Sequence, residues 1–405
     1  MKQEIPCIPD VGVLSIVPNR WRLRWASRHQ ILSRLAKYYH VVWMNPPSDW
    51  WDTSMKDVYR KILNHEGITS FGDGLKIYDP TCLPKFYRPV WLDKMTTRLR
   101  IRKAYGILKD QGCTTVVLYI WRPEYAEAIK MVRHDLSCYH IDDEYSFSES
   151  EQPNDIQEVE LIKSVGQVFI HSVGLMEKKG GINSNTEYIP NGVDYAMYSN
   201  PVPVPADMAK IPKPWIGYTG IIKKQLDWRL LSCLTGRHPE WSFVFVGAHQ
   251  QDDETRETIR QIQRQGNVHF LGEKNVWEIS AYPQHFDVCI MPYKNNAYTN
   301  YIYPMKLHEY LAGGKPVVAT RIRSLESFQN ILSLVDTPEE WSLALMKALK
   351  PEASLENNVS SRRLVASEYD WDRLVHQLAE TISRRLGPDF QNRFEKIGIT
   401  KEKAG

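Results

Sequence analysis

Short runs of β-branched and aromatic residues alternate with helical stretches along this 405-residue chain, in two successive series. Such alternation is typical of parallel sheets whose strands are joined by crossover helices. The first series predicts strands at residues 11–17, 40–44, 75–79, 115–120, 136–141, 167–172 and 186–190, and the second at 215–220, 241–247, 267–272, 286–292, 315–320 and 331–335. Residues 201–214, between the two series, are dense in proline, which cannot continue a helix or a central strand. The chain is therefore predicted to form two α/β domains joined by a linker.

Length and composition agree with two globular domains, because the chain is too long for one ordinary core. It is 42% hydrophobic and 24% charged, and a formal net charge of +3 gives no reason to expect nucleic acid as a partner. The cysteines are scattered without the spacing of a zinc site, which predicts a reduced, cytoplasmic protein. No run approaches the roughly 18 apolar residues of a membrane-spanning helix, and the first residues show no secretory signal.

The segment PMKLHEYLAGGKPVVAT, residues 304–320, contains the most informative local pattern. Pro304 suits the first turn of a helix, because its φ is already helical and its missing N–H is no loss there. Gly313 and Gly314 are predicted to end that helix. Residues 317–319 then form a short apolar strand.

Lys306 and Glu309 lie three residues apart, on one face of that predicted helix. An ammonium group in the first turn is unfavourable by roughly 0.3–1 kcal/mol unless an anion lies nearby. A diphosphate would supply the anion, and the Glu309 carboxylate could accept hydrogen bonds from two sugar hydroxyls. The pair therefore indicates a clamp for a ribose and its diphosphate. The alternative is an ordinary salt bridge on a helix surface.

The same segment resembles the donor-site segment of GT-B glycosyltransferases, in the large group that contains bacterial polysaccharide transferases. It is similar to the subgroup that includes the teichuronic acid biosynthesis transferases. Many of these relatives carry two glutamates here, the second of which binds the nucleotide ribose. Glu309 matches the second glutamate, whereas Ile302 occupies the position of the first. The resemblance extends to IPNGVD (189–194), WIGYTG (215–220), NVHFLGEKNVWEI (267–279) and FDVCIMPYKNN (286–296).

The resemblance implies the GT-B fold class, an α/β fold with two Rossmann-like domains that face a central cleft. The implied division is an acceptor-binding domain at 1–205, a nucleotide-sugar-binding domain at 206–368, a terminal helix at 369–387 that crosses back to the first domain, and a polar, loose tail at 388–405. The implied reaction moves a sugar from a UDP- or GDP-linked donor to a hydroxyl of a saccharide or lipid-linked acceptor, in cell-surface glycan synthesis. GT-B enzymes typically need no metal, so no metal or other cofactor is expected.

The residues predicted to bind the nucleotide-sugar are Gly220, Lys223, Lys224, Val276, Trp277, Tyr293, Tyr303, Pro304, Lys306 and Glu309. Gly220 ends a strand and allows a phosphate to approach the backbone, and one of the two lysines after it would contact the diphosphate. The alternative is an ordinary turn with solvated lysines.

Two further segments of the second domain are candidates for the donor site. In relatives, the position of Val276 and Trp277 holds the nucleobase, although helix packing would explain Trp277 equally well. Tyr293, with Asn295 and Asn296, follows a strand at the edge where open α/β sheets present ligand groups. A polar surface loop is the alternative for these three residues.

In the first domain, YHIDDEYS (139–146) resembles a family pattern that aligns Asp143 and Glu144 with its acidic pair. A transfer with inversion needs a base for the proton of the acceptor hydroxyl, and a carboxylate at a strand end can provide it. Asp143 is preferred as this catalytic base, ahead of Glu144 and Asp142. The alternative is a group of acids at the start of a helix, where the helix dipole favours them.

Polar and aromatic residues after the first strand are predicted to bind the acceptor: Asn19, Arg20, Trp21, Arg24, Trp25 and Arg28. Arginine and tryptophan suit an anionic, sugar-bearing acceptor, although a solvated cationic helix would show the same pattern. Residues 91–112 carry basic side chains among apolar ones at helical spacing. They could rest on anionic lipid headgroups at the inner face of the cell membrane, or form a solvated helix face.

Two other functions are compatible with parts of this pattern. A non-hydrolysing nucleotide-sugar epimerase shares the two-domain plan and would convert the donor without any acceptor. A non-catalytic sugar-binding protein would bind the acceptor and show no affinity for the donor.

Overall fold

The strands of the protein form two separate sheets, one from each half of the chain. This arrangement is seen in a computed structural model that describes residues 5–22, 25–49, 67–72, 74–80, 83–146, 154–250 and 253–402. The predicted α/β architecture is therefore confirmed. The residue numbers given above for the domain boundaries stay predictions.

The first sheet has eight strands in the order β3-β4-β2-β1-β5-β6-β7-β8. Their bounds are β1 (Val11–Ile16), β2 (His40–Met44), β3 (Ile68–Phe71), β4 (Leu75–Tyr78), β5 (Thr115–Ile120), β6 (Leu136–Ile141), β7 (Gln167–Ile170) and β8 (Thr186–Tyr188). All neighbouring strands are parallel except the edge pair β3 and β4. The central strands are buried along their whole length, as expected for a parallel sheet with both faces covered.

Five α-helices accompany this sheet before the linker. They are α1 (Ser27–Leu35), α2 (Val90–Asp110), α3 (Ile156–Ser164), α4 (Val173–Lys179) and α5 (Tyr195–Ser199). Asp155, Ser172 and Asp194 begin α3, α4 and α5, because each side chain accepts a hydrogen bond from a free N–H of the first turn. This count refers to helices within the described ranges.

The second sheet has six parallel strands in the order β11-β10-β9-β12-β13-β14. Its strands are β9 (Trp215–Thr219), β10 (Ser242–Val246), β11 (Val268–Phe270), β12 (Val288–Met291), β13 (Val317–Thr320) and β14 (Ser333–Val335). The helices that follow are α6 (Trp228–Arg237), α7 (Asp253–Gln263), α8 (Val276–Ile279), α9 (Lys306–Ala312), α10 (Pro338–Ala348) and α11 (Glu356–Glu368). The linker segment 201–214 contains neither helix nor strand.

The helix α9 has the start and the end that the sequence indicated. It begins at Lys306, and the carbonyl oxygen of Pro304 accepts a hydrogen bond of 3.2 Å from the N–H of Leu307. Gly313 caps its end, and Gly314 follows with φ +71°, in the left-handed region that glycine adopts readily. The strand β13 then runs from Val317 as predicted.

The chain ends with two helices, α12 (Trp371–Leu386) and α13 (Pro388–Glu402), that return to the first sheet. Trp371 and Leu378 are buried in the same apolar cluster as Val13 of β1. The hydroxyl of Tyr39 donates a hydrogen bond of 2.7 Å to the carbonyl oxygen of Ala379, within α12. The terminal helix therefore packs on the first domain.

The predicted loose tail needs correction, because residues after Gly387 form the helix α13. Phe394 is only 3% exposed and packs against Tyr38 and His376, with ring centroids 5.5 Å and 4.8 Å apart. The segment looks polar because it buries few side chains, and its two phenylalanines, Phe390 and Phe394, were too weak a signal for a packed helix.

Every strand predicted from the sequence is present, although several are shorter than expected. The strand β3 was not predicted, because its residues are mostly exposed and it pairs antiparallel at the edge of the sheet. Within the described ranges, no helix combines the length and the apolar character needed to cross a bilayer.

Candidate active site

Segments that follow strands of the two sheets meet across a cleft. Tyr298, after β12, donates a hydrogen bond of 3.1 Å to Oδ1 of Asp143, after β6. Trp277, in α8, makes an edge contact with Trp25, just before α1, with ring centroids 6.3 Å apart. Open α/β sheets bind ligands beyond the carboxyl ends of their strands, so this cleft is the expected place for a site.

Lys306 reaches from the first turn of α9 to the end of β9. Its Nζ donates a hydrogen bond of 2.8 Å to the Tyr293 hydroxyl and lies 5.0 Å from the centre of the Tyr218 ring. Burial disfavours the charged ammonium, but Tyr218, Tyr293 and Glu309 outweigh burial and raise the pKa of Lys306. Lys306 is therefore a cation whose hydrogen-bond partner is a neutral hydroxyl.

Two glycines lie at the ends of β9 and β10, close to this ammonium. Gly220 has φ +127°, and a Cβ there would lie 3.2 Å from Cε of Lys306. The missing side chain of Gly220 therefore leaves the backbone next to Lys306 accessible to a ligand. A Cβ on Gly247 would lie only 2.0 Å from the carbonyl oxygen of Gly220, so glycine there allows the two backbones to come into close contact. The sequence singled out Gly220 for the approach of a ligand but did not single out Gly247.

The structure distinguishes the two neighbouring lysines after Gly220. Lys223 is half-buried, whereas Lys224 is exposed. Burial and the charge of Lys306 lower the pKa of Lys223, although Tyr293 and Asp143 oppose that shift. Lys223 therefore faces the cleft. Lys224 is solvated, as expected for a lysine in an ordinary turn.

Glu309 lies one turn after Lys306 and does not form an ordinary surface salt bridge with it. Tyr198, in α5, is buried and lies close enough to the Glu309 carboxylate to affect its pKa. Burial raises the pKa of Glu309, although Lys306 and Tyr198 act against this shift. Lys306 donates its hydrogen bond to Tyr293, so the two members of the predicted clamp have different tyrosine neighbours. The predicted roles in ribose and diphosphate binding remain predictions.

The other residues predicted for the nucleotide-sugar occupy different environments. Val276 is buried, whereas Trp277 is 53% exposed and reaches toward the first domain. Tyr303 points into the core, where its hydroxyl is hydrogen-bonded to Nε2 of His308 at 2.8 Å. Of these side chains, Trp277 has the surface that a ligand could contact, while Tyr303 supports the start of α9 from inside.

Asn295 lines a second opening between the domains, a cavity of 610 Å³ next to Tyr301 and Arg323. Arg323 is paired there with Glu177 at 2.5 Å, which adds an ion pair between the two halves of the chain. Asn296 instead accepts a hydrogen bond from the N–H of Thr299 and so shapes its own loop. Neither asparagine contacts Lys306.

The three consecutive acids after β6 have different partners. Asp142 is paired with Arg28 and accepts a hydrogen bond from the Tyr145 hydroxyl. Burial would raise the pKa of Asp142, but Arg28 and Tyr145 outweigh burial and lower it. Asp143 faces the cleft, where its Oδ1 accepts hydrogen bonds from Tyr298 and from the N–H of Glu144.

Glu144 points away from the cleft into a buried group of charges. It is 2% exposed, and its Oε1 accepts a hydrogen bond of 3.1 Å from Nζ of Lys179. The same ammonium donates to Glu158 at 2.8 Å, and Lys178 lies 3.4 Å from Oε2 of Glu144. Removing one partner of a buried ion pair is strongly destabilising. Glu144 is thus placed as a structural residue, and of the three acids the geometry favours Asp143 as a base.

Asn19 and Arg28 support the acid cluster instead of lining an open surface. Arg28 is 7% exposed and donates a hydrogen bond of 2.6 Å to Oδ1 of Asn19. Its guanidinium is also paired with Asp142 and lies 5.6 Å from the centre of the Trp121 ring. Their predicted role in acceptor binding would therefore be indirect, through the position of the loop after β6.

Arg20 and Trp21 lie at the same edge of the first sheet. Arg20 donates a hydrogen bond of 3.0 Å to Asp79, and the Trp21 ring packs 5.0 Å from Trp43 and 5.8 Å from Trp25. These aromatic rings form a half-buried surface near the cleft that suits contact with a sugar. Arg24, which was also a candidate, lies outside the described residues.

Two cleft residues were missed at the sequence level, Tyr298 and Arg122. The Arg122 guanidinium lies 4.4 Å from the centre of the Tyr145 ring, and its Nε is buried without a hydrogen bond. Burial opposes its charge, but Tyr145, Asp142 and Asp143 together raise the pKa of Arg122. Its place directly after the strand 115–120 was a usable signal, because residues there lie at the cleft edge.

The assembled cleft combines cations on one side with a carboxylate on the other. Lys306 lies beside Gly220, and the half-buried Lys223 is close enough to Lys306 and Asp143 for their charges to affect its pKa. Fixed cations can stabilise a developing negative charge on a leaving group, and a carboxylate can accept a proton. Among the described residues, no group of three or more His, Cys, Asp or Glu is arranged to hold a metal ion.

Sequence comparison identifies relatives for part of the chain. The family described as Glycosyl transferases group 1 matches residues 213–350. TuaH of Bacillus subtilis (strain 168), named as a teichuronic acid biosynthesis glycosyltransferase, is 30% identical over 196 residues, which are 47% of this chain and 49% of that protein. The match thus spans about half the length of this curated relative.

Solved structures resemble nearly the whole chain. Sucrose-phosphate synthase from Thermosynechococcus elongatus is 14% identical with a TM-score of 0.68, over 93% of this chain and 98% of that one. A trehalose-6-phosphate structure from E. coli, bound with UDP-2-fluoro glucose, is 12% identical with a TM-score of 0.68, over 93% and 99%. These similarities show the fold. The chain therefore has the two-domain GT-B fold, and its residues 213–350 are similar to the glycosyl transferases group 1 family.

Proposed function

We propose that the protein is a glycosyltransferase that moves a sugar from a UDP- or GDP-linked donor to a hydroxyl of a saccharide or lipid-linked acceptor. The observation that carries this proposal is the ammonium of Lys306, which lies beside Gly220 and is held by the Tyr293 hydroxyl at 2.8 Å, with the half-buried Lys223 three residues after Gly220. Within the described ranges, neither lysine forms an ion pair with a carboxylate, and such cations in a partly buried site suit an anionic ligand that comes and goes. A diphosphate is such a ligand.

The donor diphosphate is the leaving group of the proposed reaction. The bond between the sugar carbon and the diphosphate oxygen breaks, and the electron pair stays on that oxygen. Lys306 and Lys223 stabilise the resulting negative charge, which makes a metal cofactor unnecessary. Glu309 holds the ribose through hydrogen bonds to its hydroxyls, and the exposed ring of Trp277 contacts the nucleobase.

The acceptor enters from the first domain. Its hydroxyl oxygen bonds to the sugar carbon, and Asp143 takes the hydroxyl proton. The half-buried aromatic surface around Trp21 and Trp25 provides contacts for a saccharide. The name of the Bacillus subtilis relative supports a role in cell-surface polysaccharide synthesis, and the UDP-sugar in the E. coli structure supports a nucleotide donor. Such a reaction would take place in the cytoplasm, at the inner face of the cell membrane.

Calorimetry with a panel of nucleoside diphosphates tests the donor site. We expect UDP or GDP to bind the wild-type protein and the variant Lys306→Gln to bind it at least tenfold more weakly. Lys315→Gln is the matched control, because Lys315 is also half-buried and belongs to the same segment but precedes β13, away from Gly220. No affinity for any diphosphate, or equal affinity in the Lys306 variant, would refute the donor site.

NMR of the donor, incubated with the protein in the presence and absence of an acceptor, separates the proposal from the two alternatives. A glycosyltransferase consumes the donor only when an acceptor is present, apart from slow hydrolysis. Conversion of the donor to its epimer without an acceptor would establish an epimerase instead. Acceptor binding without donor binding would establish a sugar-binding protein.

A further inference from the structure

The helix α2 carries an exposed apolar stripe on its outer face. Trp91, Met95 and Leu99 are spaced four residues apart and are 66%, 47% and 42% exposed. Residues at this spacing lie on one side of a helix, so the stripe is about 12 Å long. Val90, at the start of the helix, is 62% exposed and extends the stripe.

The opposite face of the same helix is anchored in the protein. Ile101, Ala104 and Leu108 are at most 1% exposed and belong to a cluster that includes Leu14 of β1. The stripe is therefore not the face by which α2 packs on the first domain. It is a second apolar face that the described residues leave open to solvent.

Basic side chains surround the stripe. Arg98 and Arg102 lie on the same face as Trp91, and Lys94 and Lys103 lie at its two sides; all four are exposed. The acidic residue in the first turn, Asp93, is turned inward and lies 3.7 Å from the buried Arg100. The outward face thus combines large apolar groups with positive charge.

We propose that this face of α2, defined by Trp91, Met95, Leu99, Arg98 and Arg102, docks on an anionic lipid bilayer. Apolar side chains of an interfacial helix enter the boundary between headgroups and acyl chains, and basic side chains contact the headgroup phosphates. A tryptophan at the end of the stripe suits that boundary, because its ring is apolar with one polar N–H.

The docking face is connected to the predicted acceptor side of the cleft. Before α2, the N–H of Lys85 donates a hydrogen bond of 2.9 Å to the carbonyl oxygen of Ser48. The hydroxyl of Ser48 accepts a hydrogen bond of 2.6 Å from Arg20, at the edge where the acceptor is proposed to bind. Docking at the N-terminal end of α2 would hold that edge near the membrane. The inference therefore extends the proposed function, by favouring a lipid-linked acceptor over a free saccharide.

Vesicle co-sedimentation tests the inference with the full chain. Vesicles of equal parts phosphatidylglycerol and phosphatidylcholine are expected to bind the protein at low salt, and pure phosphatidylcholine vesicles to bind it more weakly. At about 1 M salt, where screening reduces the Debye length to about 3 Å, binding to the anionic vesicles should decrease. Lack of binding to anionic vesicles at both salt concentrations would overturn the inference.

Matched variants identify the face involved. Trp91→Ser combined with Met95→Ser should abolish most of the binding, while Leu343→Ser combined with Met346→Ser should not change it. The control pair is similarly exposed, at 64% and 43%, but lies on α10 of the other domain. Equal binding by both double variants would overturn the assignment to α2.

The charges are tested in the same way, with Arg98→Gln and Arg102→Gln. Each removed charge is expected to weaken vesicle binding about fivefold. All variants should keep the nucleotide affinity and melting temperature of the wild-type protein, because the changed side chains are exposed and outside the cleft. A variant that loses vesicle binding but still binds UDP or GDP separates this inference from the proposed function. The proposal would be overturned if the wild-type protein bound no vesicles but self-associated with increasing concentration, and if Trp91→Ser disrupted that association. The face would then be assigned to contact with a second copy of the chain.

Discussion

The hydroxyl of Tyr298 donates a hydrogen bond of 3.1 Å to Oδ1 of Asp143, and this bond joins the two domains. The same oxygen accepts a hydrogen bond of 2.8 Å from the N–H of Glu144, within the first domain. Asp143 is therefore oriented both by its own loop and by a group from across the cleft. The orientation of the proposed base therefore depends on contact between the two domains.

Replacing Tyr298 with phenylalanine should slow transfer without weakening nucleotide binding. Burial and the neighbouring Asp143 raise the pKa of Tyr298, so its hydroxyl stays protonated and donates to the carboxylate throughout the working range. A hydrogen bond to a charged group contributes about 1.5–3 kcal/mol. Without it, Asp143 loses the contact that orients its carboxylate from across the cleft. We expect kcat/KM to fall at least tenfold, measured at one fixed pH.

The control for this prediction is Tyr282→Phe. Tyr282 also donates a hydrogen bond to an aspartate, Asp207, at 2.9 Å, but this pair lies outside the cleft. Its loss should leave kcat/KM unchanged. An unaltered kcat/KM in the Tyr298 variant would exclude Asp143 as a base that Tyr298 orients.

Lys223→Gln and Lys224→Gln should have unequal effects on nucleotide binding. Lys223 is half-buried beside Lys306, whereas its neighbour is exposed, where screening leaves an ion pair worth about 0–1 kcal/mol. We expect calorimetry to show at least a tenfold loss of UDP affinity for the first variant and less than a threefold loss for the second. Equal losses would contradict the assignment of Lys223 to the diphosphate.

Nucleotide affinity should fall at alkaline pH earlier than an ordinary lysine would allow. Burial and Lys306 lower the pKa of Lys223, and only its protonated form attracts a diphosphate. Affinity is therefore full below this lowered pKa and decreases as the pH rises through it. Titrations between about pH 7 and about pH 10 should show the decrease in the wild-type protein and a smaller one in Lys223→Arg, because arginine stays charged.

Glu309→Gln should weaken nucleotide binding without destabilising the protein. The amide keeps the size and shape of the side chain beside Tyr198, but it is uncharged and binds the ribose hydroxyls less strongly. We expect a loss of about 2 kcal/mol, or about 30-fold in Kd, with an unchanged melting temperature. Glu309→Ala should weaken nucleotide binding and also lower the melting temperature, because it removes the packing of a half-buried side chain. Unchanged affinity in Glu309→Gln would remove Glu309 from the ribose site.

Local patterns in the sequence were sufficient for much of the fold and part of the site. The helix from Lys306 and its end at Gly313 depend on neighbouring residues, so short-range rules predict them. Strand ends were also predictable, so Gly220 was expected at the end of its strand, whereas Asp143 was indicated by the resemblance of residues 139–146 to a family pattern. Helix ends and strand ends can be predicted because they depend mainly on residues that are neighbours in the sequence.

Features that depend on distant partners were not accessible in this way. Glu144 looks like its neighbour Asp143 in the sequence, but its carboxylate meets Lys179 from another helix and is buried. The pairing of Tyr298 with Asp143 joins residues 155 positions apart, and no local pattern specifies it. The difference between Lys223 and Lys224 likewise results from tertiary burial, so the sequence left the choice between them open.

Gly220→Ala should impair both stability and nucleotide binding. Its φ of +127° is strained for any side chain, and the new Cβ would lie 3.2 Å from Cε of Lys306. We expect a loss of roughly 1–3 kcal/mol in the free energy of unfolding, measured by urea denaturation. Gly236→Ala is the control, because Gly236 lies within α6 with no atom closer than 3.9 Å, and alanine there should add roughly 0.5–1 kcal/mol.

The final helix α13 should contribute measurably to the stability of the first domain, although its sequence is polar. Phe394 is 3% exposed and packs on Tyr38 and His376, and Arg393 is paired with Asp10 near the start of β1. Phe394→Ala removes a buried aromatic ring, so it should lower the free energy of unfolding by about 3 kcal/mol. Asn392→Ala, at an exposed position of the same helix, should change it by less than about 0.5 kcal/mol. Urea denaturation of both variants tests this prediction. If α13 did not pack on the first domain, neither substitution would change the unfolding transition.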